Sequence, residues 1–234
     1  MRILAFETSA KAASVALLDG DRLIGEYYQN NGQTHSRTLM KMAEDLLENC
    51  GYGVKDLTAV ACASGPGSFT GVRIGVAAAK GLAWGAQLTC IGVSTLEAMA
   101  YQALEFDGLI CCAMDARRDQ VYHALFENAE GKLIRLCEDC AISLDELEKE
   151  LKKYEKPKIT VGDGALLCYN SIGKRLPGCI CAPEHLRMQR ASGVALAAKE
   201  QLLSGAMPDG AALVPNYLRL SQAERERLQK TEGE

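Results

Sequence analysis

The densest concentration of residues able to do chemistry is 64–81, SGPGSFTGVRIGVAAAKG. Two hydroxyls, Ser68 and Thr70, stand just before a guanidinium, Arg73. An apolar run at 57–63 precedes them and fits a buried strand. Val72 to Trp84, rich in Ala and free of Pro, fits a helix. Strand, glycine-rich turn and helix in that order can turn backbone N–H groups toward an anion. Gly65 and Gly67 permit a close backbone approach, and Ser68 or Thr70 can cap the helix. Arg73 in the first turn opposes the helix dipole, which favours a ligand or partner contact over a purely structural role. The stretch matches no standard phosphate motif. GxGxxG requires Gly where Thr70 stands, and Lys80 lies in no GxxxxGK[ST] context. The competing reading is close packing, because Gly71, Gly75 and Ala78 share one helical face. The residues alone leave both readings open.

Other candidates are scattered. Glu7 and Thr8, both ligand or cleft candidates, end an apolar strand beside Ser9, and Asp115 ends another beside Arg117 and Arg118. Each acid can cap a turn or serve a site, and Arg117 can pair with Asp115 or bind an anion. His35 opens a helix, where a cap or surface role competes with any acid–base role. Phe69, an aromatic in a turn, suits an interface anchor. The paired cysteines 137/140 and 179/181 have the donor chemistry for zinc, but their spacing fits no common finger.

These residues need elements to hold them. Periodicity and turn residues predict strands at 2–7, 12–18 and 22–29, a helix at 34–50, a strand at 57–63, a helix at 70–84, a strand at 88–93 and a helix at 94–105. The second part repeats the order. Strands are expected at 109–115, 120–127 and 132–140, a capped helix from Ser143 to about 154, a strand at 159–161, a short helix at 165–172, a strand at 179–182 and a helix at 189–204. Ala16-Leu17 follows Glu7 at the same spacing as Ala124-Leu125 follows Asp115, which adds to the evidence for duplication. The expected organisation is an N-terminal domain at 1–106, a smaller one at 107–187, and a C-terminal helix and tail at 188–234 packing back on the first. Helix 34–50 carries Leu39, Met42 and Leu46, with Met40 outside that stripe. With Gly71, Gly75 and Ala78 of the next helix, these residues predict a partner face.

A net charge of −4 argues against a chain that grips nucleic acid through a general basic field. No signal peptide is expected, no apolar run reaches membrane length, and the cysteines inside apolar runs read as reduced thiols. The cytoplasm is the expected compartment, with no membrane partner.

Two βββαβα units with an acid at the end of each first strand resemble the actin-like ATPase superfamily, an α/β, duplicated RNase H-like fold whose second half is here shortened. More specifically, ILAFETSAKAASVALL, THSRTLM, ASGPGSFTGVRIGVAAAKGLA, GVSTLEAMA, MDARRDQVYHALF, VGDG and PNYLR resemble the TsaB family. The resemblance implies a non-catalytic activator and scaffold, without catalytic residues or a metal site of its own. It implies partnership with a TsaD-like paralogue and a TsaE-like ATPase, and a homodimer when alone. Together the three place a threonylcarbamoyl group on adenosine 37 of tRNAs reading ANN codons, so tRNA is met indirectly. ATP or ADP and a divalent metal are expected on the partner subunits, with none bound strongly here. The resemblance also turns Glu7 toward a cleft, makes Asp115 its counterpart and gives His35 a partner-facing role. Where the paralogue has VNH-x-EGH, this chain has Val93–Met99, with Thr95 and Met99 at the histidine positions. The alternative is a small actin-like ATPase or metabolite kinase, for which Gly162-Asp163-Gly164 offers a close approach to adenine or ribose. A peptidase is disfavoured by the lack of HExxH.

Overall fold

The computed structural model describes residues 1–219; the charged tail at 221–234, expected to fray, lies outside them. β1 (Arg2–Glu7), β2 (Ala13–Asp19) and β3 (Arg22–Gln29) form an antiparallel meander. α1 (His35–Asn49), β4 (Ala59–Gly65), α2 (Phe69–Ala86), β5 (Thr89–Ser94) and α3 (Thr95–Gln102) follow. The second half runs β6 (Leu109–Asp115), β7 (Gln120–Ala129), β8 (Lys132–Arg135), β9 (Cys140–Ser143), α4 (Leu144–Leu151), β10 (Lys158–Val161), α5 (Ala165–Ser171), β11 (Cys179–Cys181), α6 (Glu184–Arg187) and α7 (Ala191–Leu203). The first sheet is ordered β3-β2-β1-β4-β5 and the second β11-β10-β6-β7-β8, with β9 also on β7. In each, the half's first strand is central, with its antiparallel hairpin on one side and two parallel strands on the other. This is a duplicated RNase H-like fold.

Two details differ from the sequence expectation. The strand expected over 132–140 is broken. Arg135 stands opposite Phe126 and Cys140 opposite His123, so 136–139 face only 124–125 and bulge out of the ladder. Cys137 fills the gap, its sulfur accepting from the Leu125 N–H at 3.2 Å. The matching spacing after Glu7 and Asp115 is also not a structural equivalence. Ala16 pairs with Ala5, two residues before Glu7, whereas Ala124 pairs with Cys112, three before Asp115. The strand order carries the duplication; that spacing does not.

Strand alternation sorts the core by size. Leu4, Phe6, Val15 and Leu17 face α1 and α2, which bring Leu39, Leu46, Val72 and Val76. Ile3, Ala5, Ala16 and Ala61 face the other way, against Ala191, Val194, Ala195 and Ala198 of α7. Small residues on both surfaces bring α7 close to sheet and helix, and a Cβ at Gly193 would collide with the Ala98 carbonyl of α3. α3 is shared: Ala98 faces the first sheet, while Leu96, Met99 and Ala100 pack on Ile110, Cys112 and Phe126 of the second. α4 and α5 cover that sheet's far face through Leu147, Leu151 and Cys168. Thr95 and Met99, which the resemblance sets against the paralogue's histidines, are core residues and fully buried.

Candidate functional site: a cleft between the halves and a groove on the first

β1 and β6 point their C-terminal ends at a cleft of about 620 Å³. Its first-half wall is the β4–α2 turn. Ser68 caps α2, its hydroxyl accepting from the Gly71 N–H at 3.2 Å, and the Ser68 N–H donates to the Ser9 carbonyl at 2.6 Å. Gly67 at φ +157° lies so close to Ser9 that a side chain there would collide with it. Ser68 and Thr70 are exposed and line the cleft, as do Asp115 and Arg117 from the opposite half. Asp115 accepts the backbone N–H of Arg117 at 2.7 Å rather than its guanidinium, because 117–119 turn through positive φ.

Three residues expected at the cleft are elsewhere. Glu7 is 1% exposed and lies beneath the floor, one oxygen accepting the Ser9 N–H and the other without a partner. Burial pushes its carboxyl up to about 7, with the nearby Asp163 charge acting the same way against the hydrogen bonds from Ser9. Thr8 is buried, and its hydroxyl donates to the Gly71 carbonyl at 2.7 Å, tying β1 to α2. Arg73 turns outward: its guanidinium lies 3.8 Å from the Phe69 ring centre and donates to the Tyr217 hydroxyl at 2.7 Å.

The structure adds residues that the sequence reading did not place here. Asp163, from the Gly-Asp-Gly turn after β10, lines the cleft. Its carboxyl is raised by burial, while Gln189 donates to it at 2.8 Å and works the other way. Asn216–Arg219 form another wall. The PNYLR segment was visible as a motif; nothing in its spacing showed that it returns to α2.

The partner face needs the larger correction. Leu39 and Leu46 are 1% exposed and Met42 is 9% exposed, all in the core between α1 and the first sheet. They are the core stripe, not a free surface. Gly71 and Gly75 face Thr8, where a Cβ would meet its carbonyl or hydroxyl, and Ala78 packs on the same core. The small face of α2 thus serves a contact within the chain. His35 is half-buried and donates to the Ala10 carbonyl at 2.8 Å; Phe69 stacks on Tyr217 with ring centres 4.7 Å apart. What lies open instead is an apolar groove of about 380 Å³ between α1 and α2, lined by Met40, Leu47, Tyr52, Val54 and Leu82 and edged by Glu44 and Glu48. Trp84, further along α2, is 87% exposed. Met40 outside the core stripe was the one sequence signal of this face. Among the described residues, no three His, Cys, Asp or Glu side chains gather as a metal site.

Two RNase H-like halves facing across such a cleft place the molecule in the actin-like class. The model of the TsaD family, tRNA N6-adenosine threonylcarbamoyltransferase, matches residues 29–227. The tRNA threonylcarbamoyladenosine biosynthesis protein TsaB of Bacillus subtilis is 38% identical over 96% of this chain and 96% of its own. That of Escherichia coli is 38% identical over 70% of this chain and 72% of its own. YeaZ from Pseudomonas aeruginosa superposes with a TM-score of 0.78 at 26% identity, covering 93% of this chain and 99% of that structure. The chain belongs to the TsaB family.

Proposed function

We propose that this protein works in tRNA threonylcarbamoyladenosine biosynthesis as a partner-binding, non-catalytic subunit that activates a TsaD-like paralogue. The observation that carries the reading is the apolar groove between α1 and α2, left open by the described residues. Burying it against a paralogue's matching helices removes apolar surface from water at about 25 cal/mol per Å². The match to the transferase family model supports a paralogous partner with an equivalent helical pair. A homodimer through the same face serves the chain when the paralogue is absent.

A non-catalytic role is supported by the poor fit of the cleft to a metal-bound nucleotide. The β1 carboxylate is sealed under Ser9, and the chain's own Asn216–Arg219 occupies one wall. Thr95 and Met99 stand in the core where the paralogue's metal pair would be. Nucleotide and divalent metal accordingly belong to the paralogue and to a TsaE-like ATPase, and tRNA is met through the assembly in the cytoplasm.

Leu82→Glu places a charge in the groove at a half-buried position. It is expected to weaken association with the purified paralogue at least tenfold, about 1.4 kcal/mol, with the melting temperature of the lone chain nearly unchanged. Calorimetric titration measures it, and unaltered affinity would reject the groove as the contact.

A further inference from the structure

The cleft is crossed by the chain's own C-terminal segment, and its attachment to the two halves is unequal. On the first half the anchors are many. Lys80 Nζ donates to the Ala211 and Leu213 carbonyls at 2.9 and 2.8 Å, and Leu213 packs on the α2 core. The Asn216 N–H donates to the Ser64 carbonyl at 2.6 Å, and Gly65, at φ +121°, leaves room for the Asn216 backbone. Tyr217 completes a stack with Phe69 and Arg73. On the second half, among the described residues, the hydrogen bonding is a single contact: the Arg219 guanidinium donates to the Ala116 carbonyl at 2.6 Å. That carbonyl opens the β6–β7 turn, where Arg117, Arg118 and Asp119 have φ of +63°, +56° and +56°. Successive non-glycine residues in the left-handed region are strained, so the turn is held by its surroundings rather than by its own preference.

We infer that 214–219 is a clasp hinged on the first half and caught on the second by Arg219, and that it holds the halves together and narrows access to the cleft. A hinge of many anchors, with a catch of one hydrogen bond among the described residues, yields a part that opens at the catch while the rest stays folded. Opening swings Arg219 off Ala116, uncovers the half-buried Asp163 and frees the β6–β7 turn. The strong bonds along α2 keep the segment from leaving altogether.

Hydrogen exchange of the full chain, read peptide by peptide, tests this with Arg219→Ala and Arg219→Lys. Arg219 is half-buried at the cleft and belongs to none of the core clusters, so its loss spares the core. For Arg219→Ala, amides at 116–120 and at 217–219 are expected to exchange about tenfold faster, while amides at 64–70 keep their protection because the anchors on the first half hold. Arg219→Lys keeps a donor and should restore most of the protection at both places. A rise confined to 116–120, or protection unaltered in Arg219→Ala, would overturn the clasp and leave a local surface contact.

Discussion

Glu7 and Asp115 end the first strands of two halves with one topology, yet they have opposite fates. Glu7 is sealed beneath Ser9 with one oxygen unpartnered, while Asp115 stands exposed at the cleft and caps its own turn. The halves also differ in the element that follows each hairpin's parallel strand. In the first half that element is α2, an 18-residue helix whose glycines let it settle on Thr8, the neighbour of Glu7. In the second it is α5, a seven-residue helix. A carboxylate at one topological position is therefore buried in one half and solvated in the other. One duplicated frame thus gives a tightly closed half and a more open one.

The largest test of this contrast is a substitution on α2. Gly75→Glu drives a charged side chain into Thr8 and is expected to cost more than about 4 kcal/mol, enough to unfold the chain at ordinary temperature. Gly85→Glu, at a helix position with open space around it, should cost about 1 kcal/mol or less. Denaturant titration of both variants decides it. Equal destabilisation would mean that the α2–Thr8 contact is not what distinguishes the halves.

Next is the pH dependence of the buried acid. The folded-state carboxyl of Glu7 is raised to about 7 from 4.5, so between those values the folded state holds a proton that the unfolded state has released. Stability contributed by the neutral form is complete below about pH 4.5, falls as pH rises toward 7, and is gone above it. Glu7→Gln should therefore gain about 1–3 kcal/mol over the parent at pH 8 and little at pH 5. Asp115→Asn, at an exposed carboxylate, should shift stability by less than about 0.5 kcal/mol at either pH. Melting curves at the two pH values are the measurement, and a Glu7→Gln gain that does not grow with pH would contradict the assignment.

The smallest effect compares the caps. Ser68 on α2 and Ser143 on α4 each accept a helix-start N–H at 3.2 Å, and Ser143 also has Glu146 returning to its own N–H at 2.8 Å. Ser143→Ala and Ser68→Ala should each cost about 1 kcal/mol. In Ser68→Ala, exchange at 69–72 should rise as well, because that cap sits in the turn that walls the cleft. A silent Ser68→Ala would mean that the turn is held by its glycines and the Ser9 carbonyl alone.

Most of the fold was legible in the residues. The short apolar runs at 3–6 and 109–114, the Ser143-Glu146 capping box and the glycine-rich turn each specify local structure through run length, side-chain caps or backbone freedom, which neighbours in sequence determine. The family was legible too, since GPGSFTG and PNYLR stand in the chain whatever it folds into. Which face of a helix is free was not legible. Leu39, Met42 and Leu46 carry the same apolar chemistry whether they meet a sheet or a partner, and only the position of β2 makes them core and leaves Met40 and Leu82 outside. Gly71 and Gly75 likewise permit close approach without naming what approaches. The meeting of Arg73 with Tyr217, and the burial of Glu7, join residues far apart in the chain. Such distances and the local dielectric exist only once the elements are packed, so tertiary structure alone decided them.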